Sequence, residues 1–264
     1  MPEGPEVKIA SSYYNSFFEG TKNLSFNLLT DYYEKKYAEV FETVNKHLSK
    51  TFQATFTIGK NIFLPLTNGL YFNFHLGMTG GWNEENIKHC HFRVGDSNRE
   101  LFFKDVRKFG KMRIITLEEL QKKHFKDYDL LNEAYNFEKH LEYLKAKVNK
   151  SKSICSTLMD QRFFPGVGNY IKSESLYAAK IHPEKKWGEL SPKKIKELIL
   201  STQDIMQRSY NTGGAELKDF KNPYHTSEFE LIVYGKKEDL LGNEVLSTTT
   251  SDQRKSWYCP NIQK

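Results

Sequence analysis

The sequence predicts an α+β chain in two parts, and three observations predict it. Apolar residues at Val7, Ala10, Tyr14 and Phe17/Phe18 repeat with helical spacing. From 24 to 116, short runs rich in Phe, Tyr, Ile and Val recur between turn signals. After 117 the helical period returns, and only the C-terminal end alternates again. The reading is an N-terminal helix plus a β-sandwich domain over 1–148, then a helical domain over 149–264 ending in a β-hairpin.

The first helix covers residues 3 to about 19, and Gly20 stops it. Pro2, Glu3, Pro5 and Glu6 suit a helix start, where proline and negative charge are favoured. Strands are expected at Leu24–Leu29, Thr51–Ile58, Asn61–Leu66, Leu70–His75, His91–Val94, Leu101–Lys104 and Lys111–Ile115. Gly59, Thr67-Asn68-Gly69 and Gly95-Asp96 divide them. Helical patterns follow at 117–125 and about 137–148. The polar, basic stretch 145–152 reads as a linker or a solvated helix end.

The second part opens with a helix over Ser153–Arg162, a turn through Pro165, Gly166 and Gly168, and a second helix over Tyr170–Lys180. Ser191-Pro192 is an N-cap and first-turn pair for a helix reaching Tyr210. A loop runs from Gly213 to Phe220 and on to His225. Phe229–Tyr234, Glu244–Thr249 and Lys255–Cys259 read as the terminal hairpin.

The 264 residues carry a formal charge of +6 and a pI near 8.9, which suits a polyanionic partner. Only seven of the 39 basic residues are Arg, so each Arg stands out as a fork that matches phosphate. Three scattered cysteines, Cys90, Cys155 and Cys259, give no disulfide framework and point to a reducing compartment. The N-terminus is acidic and lacks a signal peptide, and no apolar run is long enough to span a membrane.

Two stretches carry chemistry. Initiator Met is removed when Pro follows, which leaves Pro2 as a prolyl secondary amine. An α-amino group titrates near pH 8, so a useful fraction is neutral and nucleophilic at pH 7. Condensed with an aldehyde it gives an iminium ion, an electron sink, and the adjacent Glu3 is placed to shuttle protons. Taken alone, the same residues are also an ordinary helix start. The second stretch is Asp160–Tyr170, two helices joined by a Gly-rich turn. It puts Asn169 beside the free N–H groups of a helix N-terminus, an arrangement that suits phosphate. An ordinary helical corner has the same spacing.

Taken together, Pro-Glu-Gly-Pro-Glu at 2–6 and Asp160-Gln161 with Gly166-Val167-Gly168-Asn169 resemble the formamidopyrimidine-DNA glycosylase / endonuclease VIII family. Lys60 in Gly59-Lys60-Asn61 is similar to that family's strand lysine. His75–Gly80 and Asp105–Gly110 are similar to its two intercalation loops. Gln253-Arg254 with Trp257-Tyr258-Cys259 is similar to its C-terminal finger. These motifs stand in the family's order over nearly the whole chain.

The resemblance implies a helix-two-turn-helix over about 153–180 and a bifunctional enzyme that excises an oxidised base and then nicks the strand. Pro2 would be the nucleophile, Glu3 the proton shuttle, and Lys60, Asn169 and Arg254 the grip on phosphates. By itself, Lys60 reads as a solvated strand-end lysine. His75 would sit on the DNA, while Met78, Arg107 and Phe109 would fill the hole left by the flipped nucleotide. Glu6 either assists catalysis or orients the first turn. DNA, double- or single-stranded, is the implied partner, held between the domains. No cofactor or membrane is implied. The implied protein is an intracellular monomer, nuclear in a eukaryote and cytoplasmic in a bacterium or a virus factory.

Two departures matter. The family's finger holds zinc with four cysteines, but here residues 238–243 lack Cys, and Ile262 stands where the partner of Cys259 belongs. A zincless finger over about 229–264 is expected, with Leu240, Leu241, Val245, Leu246, Trp257 and Tyr258 supplying the packing. Gly4 and the short Gly213–Phe229 segment point to the endonuclease VIII-like branch and to oxidised pyrimidines and hydantoins. The complete Met78, Arg107, Phe109 trio points to 8-oxoguanine and formamidopyrimidines. A catalytically dead lesion-binding scaffold is the competing class. A general nucleic-acid-binding protein sharing only the Asp160–Tyr170 motif is a further one.

Overall fold

The computed structural model describes residues 1–124, 126–217, 222, 224 and 226–264. Phe125 at the end of an expected helix, and Phe220 and His225 of the expected loop, lie outside that set. The chain forms two compact units. One comprises Met1–Pro2, Glu6–His124 and Glu216–Ser227, and the other Glu3–Pro5, Phe125–Ala215 and Glu228–Lys264.

In the first unit, α1 (Gly4–Phe18, from Glu6 onward) and α2 (Asp31–His47) accompany two antiparallel four-stranded sheets. One sheet has the order β1 (Ser25–Leu28), β6 (Cys90–Gly95), β7 (Glu100–Asp105), β5 (Gly80–Asn83). The other has the order β2 (Phe56–Ile58), β3 (Asn61–Pro65), β4 (Leu70–His75), β8 (Lys111–Thr116). Strand alternation explains the packing. Ile62, Leu64, Phe72 and Phe74 join the main core with Phe26, Trp82, Phe92 and Phe103 of the facing sheet. Phe63 and Ile115 turn the other way and pack with Leu120 of α3 (Leu117–Lys123). Edge-to-face rings, such as Phe26 on Phe72 at 5.6 Å, knit the two layers together.

The β-rich stretch also holds a helix that the sequence reading passes over. In α2, Tyr33, Tyr37, Phe41 and Val44 are buried on one face, at spacings that fit a helix. Strand β5 was likewise not expected. The strand expected over Thr51–Ile58 starts only at Phe56. Before it, Asn15 takes a strand's place: its amide accepts from Thr55 N–H at 2.7 Å and donates to Thr55 C=O at 2.8 Å.

The second unit contains α4 (Phe137–Lys147), α5 (Ile154–Met159), α6 (Asn169–Ala178), α7 (Pro192–Asn211) and a hairpin of β9 (Leu246–Thr249) and β10 (Lys255–Tyr258). Caps fix the helix starts: Ser191, as expected, and also Asn136 and Ser153 each accept a first-turn N–H. Phe229–Tyr234 forms no strand. The N–H groups of Ile232, Val233 and Tyr234 instead converge on the buried Glu174 carboxylate at 2.8–3.0 Å.

Three histidines are held neutral. Burial, first of all, pushes His75, His124 and His140 down to about 4. Unfolded, each titrates near 6.5, so between about pH 6.5 and 4 the unfolded chain binds more protons. Their contribution to stability is therefore complete above 6.5 and declines as pH falls towards 4. At pH 5, calorimetry in buffers of different ionisation enthalpy should detect uptake of between about two and three protons on unfolding from this trio. Mutating any one of them to Gln should remove about one. An unchanged uptake in all three variants would contradict the assignment.

Candidate active site

Glu3 is 3% exposed, and its carboxylate occupies the N-terminus of α6. Oε1 accepts from Tyr170 N–H at 2.9 Å and Oε2 from Ile171 N–H at 3.3 Å. The free N–H groups that suggested a phosphate seat thus hold Glu3 itself, where the helix dipole favours an anion. Gly168 makes the approach possible, since a Cβ there would fall inside the carboxylate. Gly4 N–H donates to Gly166 C=O at 2.8 Å, and a Cβ on Gly4 would lie 2.8 Å from Met206 Cε and 3.1 Å from Gly166 Cα. A side chain at position 4 would therefore displace the tip of Met206 and press on the Gly166 backbone.

The turn between α5 and α6 is tied by Gln161. Its Nε2 donates to Val167 C=O at 2.8 Å, and its Oε1 accepts from Gly166 N–H at 3.1 Å. Gly166 adopts a φ of +87°, which glycine tolerates best. Asn169, half-buried, donates from Nδ2 to Lys255 C=O at 2.8 Å, fastening the first turn of α6 to β10. Its Oδ1 has no hydrogen-bond partner among the described residues.

Arg254 is exposed at the hairpin tip, on a base the sequence did not reveal. Lys172 and Asp252, with side chains 0% and 5% exposed, form an ion pair at 2.7 Å. Asp252 Oδ1 also accepts from Thr250 Oγ1 at 2.5 Å and from Arg254 N–H at 3.3 Å. Gln253 beside it has a φ of +58°. A buried pair thus fixes the turn that carries Arg254.

In the first unit, Pro2 and Lys60 are buried, Lys60 being 7% exposed, and Glu6 is 0% exposed. Met1 precedes Pro2, so its nitrogen is an amide until Met1 is removed. His75 Nδ1 accepts from Gly77 N–H at 2.9 Å. That bond requires a neutral ring with the proton on Nε2. Burial and the charges of Lys60, Lys111 and Arg113 favour the same form. His75 therefore presents a donor across the whole neutral range.

Met78 and Arg107–Phe109 lie on loops outside the core. Met78 is half-buried, and Phe109 is 51% exposed. The Arg107 guanidinium stacks over the Phe109 ring at 5.2 Å. The loops touch through backbone: a Cβ on Gly77 would come within 2.6 Å of the Phe109 carbonyl carbon.

The hairpin's packing differs from expectation. Val245 is buried, but Leu240 and Leu241 are 62% and 80% exposed and Leu246 is 39% exposed. Polar groups fix this region instead. The Asp239 carboxylate accepts from Leu241 N–H, Asn243 N–H and Nδ2, and Tyr177 O–H, all at 2.8–3.2 Å. Cys259 N–H donates to Gln263 Oε1 at 2.8 Å, and Gln263 Nε2 donates to Ile181 C=O at 2.9 Å. Among the described residues no group of three or more His, Cys, Asp or Glu could hold a metal ion. A four-ligand zinc site does not fit these residues.

Residues 1–112 match the formamidopyrimidine-DNA glycosylase N-terminal domain, and residues 129–221 match the formamidopyrimidine-DNA glycosylase H2TH domain. A formamidopyrimidine-DNA glycosylase of Rickettsia bellii is 33% identical over 278 residues, covering 100% of both chains. That of Rickettsia massiliae is 30% identical over 275 residues, covering 100% of this chain and 97% of its own. Among solved structures, a Lactococcus lactis FPG mutant in complex with Fapy-dG-containing DNA is 26% identical with a TM-score of 0.84, over 100% of both chains. The Lactococcus lactis Fpg with abasic-site DNA is 26% identical with a TM-score of 0.83, over 99% of both.

Asp252→Asn should leave the Lys172 ammonium buried without its counter-charge. Breaking a buried pair on one side costs about 3–5 kcal/mol. Denaturant unfolding should show a loss of that size, whereas a loss under about 1 kcal/mol would mean that solvent reaches Lys172.

Proposed function

Because the chain belongs to the formamidopyrimidine-DNA glycosylase family, we propose that it excises oxidised bases through Pro2 and then cuts the strand by β,δ-elimination. The observation that carries the reading is the seat of Glu3. The residue joined to the Pro2 carbonyl is locked on two N–H groups of α6, so the nucleophile's immediate neighbour is preorganised.

The reaction runs on the chain's own groups once Met1 is gone. Pro2 nitrogen attacks C1′ of the damaged nucleotide, and the C1′–N bond breaks with its electron pair leaving on the base. Glu3 delivers a proton to the sugar ring oxygen as the ring opens, giving an iminium at C1′. The iminium acidifies C2′–H; loss of that proton breaks the C3′–O bond and expels the 3′ phosphate. A second elimination expels the 5′ phosphate and leaves a one-nucleotide gap. Lys60, Asn169 and Arg254 hold phosphates, and His75 donates from Nε2. Met78, Arg107 and Phe109 fill the vacated stack. The zincless hairpin presents Arg254 through the Lys172–Asp252 pair. The enzyme works wherever its DNA is.

Oxidised pyrimidines and hydantoins are the proposed lesions. The supporting observation is Tyr224, inside the segment that would otherwise cover a large flipped base. Its ring stacks on Tyr13 at 3.9 Å, and its hydroxyl accepts from Trp82 N–H at 2.7 Å, so it is committed to the first unit's own packing. A second reading, ring-opened purines, is favoured by the complete trio and by the names of the relatives.

Borohydride trapping tests the reading. Protein lacking Met1, reduced in the presence of abasic DNA, should give an adduct that peptide mapping places on Pro2. A form retaining Met1 and a Pro2→Gly variant lacking the pyrrolidine should lose it wholly and largely, respectively. Tight binding without any adduct would favour the dead-scaffold class. Single-turnover excision on a panel of thymine glycol, hydantoin, formamidopyrimidine and 8-oxoguanine duplexes ranks the lesions. Affinity should fall steeply with salt, as phosphate contacts require, and a flat response would count against the phosphate grip.

A further inference from the structure

Asp105 ends β7, is 0% exposed, and lies outside every catalytic and binding role assigned above. Its carboxylate is nonetheless the most engaged acceptor near the two loops. Oδ1 accepts from Thr79 Oγ1 at 2.7 Å, in the loop that carries Met78. Oδ2 accepts from Gly110 N–H at 2.7 Å, closing the loop that carries Arg107 and Phe109, and from Tyr33 O–H of α2 at 3.1 Å. Thr79 Oγ1, having donated, accepts in turn from Arg107 N–H at 3.0 Å. A continuous path of hydrogen bonds therefore runs from one loop through a single carboxylate into the other.

The frame around Asp105 is fixed as well. Its C=O accepts from His91 Nε2 at 3.0 Å and from Lys108 N–H at 3.3 Å, and its N–H donates to His89 C=O at 2.9 Å. Tyr37 O–H donates to Gly110 C=O at 2.9 Å. Lys108 adopts a φ of +56°, a conformation that a lysine keeps only where its surroundings impose it. On either side of that bend stand Arg107 and Phe109, with guanidinium over ring. The helix that supplies Tyr33 and Tyr37 is the one absent from the sequence reading.

We propose that Asp105 is a positioning residue, which, with Thr79, locks the two loops into one wedge so that Met78, Arg107 and Phe109 enter the duplex together. This rests on the glycosylase reading above. The wedge has work to do only in duplex DNA, where a base must leave the stack. Single-stranded DNA with a preformed abasic site needs no wedge, so it reports the Pro2 chemistry alone.

The test pairs these two substrates. Thr79→Val keeps the side chain's shape and deletes both hydrogen bonds of its hydroxyl. Asp105→Asn replaces one acceptor oxygen with a donor facing other donors. Each variant should slow single-turnover excision from lesion duplexes about tenfold or more, the scale of one or two lost buried hydrogen bonds. Each should leave borohydride trapping on single-stranded abasic DNA within about twofold of wild type. Thr79→Ser, which retains the hydroxyl, should restore duplex excision. A 2-aminopurine opposite the lesion should show weaker unstacking in Thr79→Val than in wild type. Equal losses on both substrates, or no loss on duplex, would overturn the proposal. Wild-type protein that fails to trap would instead overturn the glycosylase reading itself, a separately visible result.

Discussion

The contact between the Glu3 carboxylate and the first N–H groups of α6 is the constraint on which the rest depends. Three features meet around this one anion on a helix N-terminus. Gly168 must lack a Cβ so that the carboxylate can reach Tyr170 N–H and Ile171 N–H. Gly4 lets the chain pass close to Gly166 and the tip of Met206. Asn169, first residue of the same helix, is held against Lys255, one residue from Arg254. The proposed proton shuttle and two phosphate-binding candidates are thereby referred to one helix end.

The same device recurs through the molecule. Glu174 collects three backbone N–H groups, Asp239 collects two along with a phenol and an amide, and Asp105 collects a hydroxyl, a phenol and an N–H. Each buried acid gathers donors from segments that would otherwise need a sheet ladder or a metal to hold them. Single hydrogen bonds contribute about 1 kcal/mol, but a buried donor left without its acceptor costs more. These carboxylates therefore act as geometric specifications first and as stabilising contacts second. At the hairpin, Asp239 and Gln263 hold the two bends by hydrogen bonding, and Leu240 and Leu241 stay in solvent.

Much of this was legible in the sequence for identifiable reasons. The sandwich strands show because aromatic and β-branched residues alternate on half-buried surfaces, as at Leu70–His75, whose limits match the observed strand. The cap at Ser191 shows because the capping atom and the helix are neighbours in the chain. Helix α2 was obscured by its composition: Tyr33, Tyr37, Phe41 and Val44 look strand-like individually, and only their spacing is helical. Pro2 and Glu3 drew notice through the chemistry their residue types permit, whereas Lys60 stood out only through the family resemblance. What stayed hidden are partnerships across long sequence separations. Nothing local to Asp105, Asp252 or Glu174 indicates that Thr79, Lys172 or Val233 lies beside it. At α6 the group on Tyr170 N–H and Ile171 N–H is Glu3, which lies too far away in sequence for a local reading to place it there.

The central claim is that Pro2 forms the covalent bond while Glu3 stays on α6. The crystal structure of the borohydride-reduced complex with abasic DNA tests it most directly. The account predicts a bond from Pro2 nitrogen to C1′, with the Glu3 carboxylate still within hydrogen-bonding distance of Tyr170 N–H and Ile171 N–H. A bond to C1′ from Lys60 Nζ, or a phosphate in place of Glu3 on those two N–H groups, would contradict it.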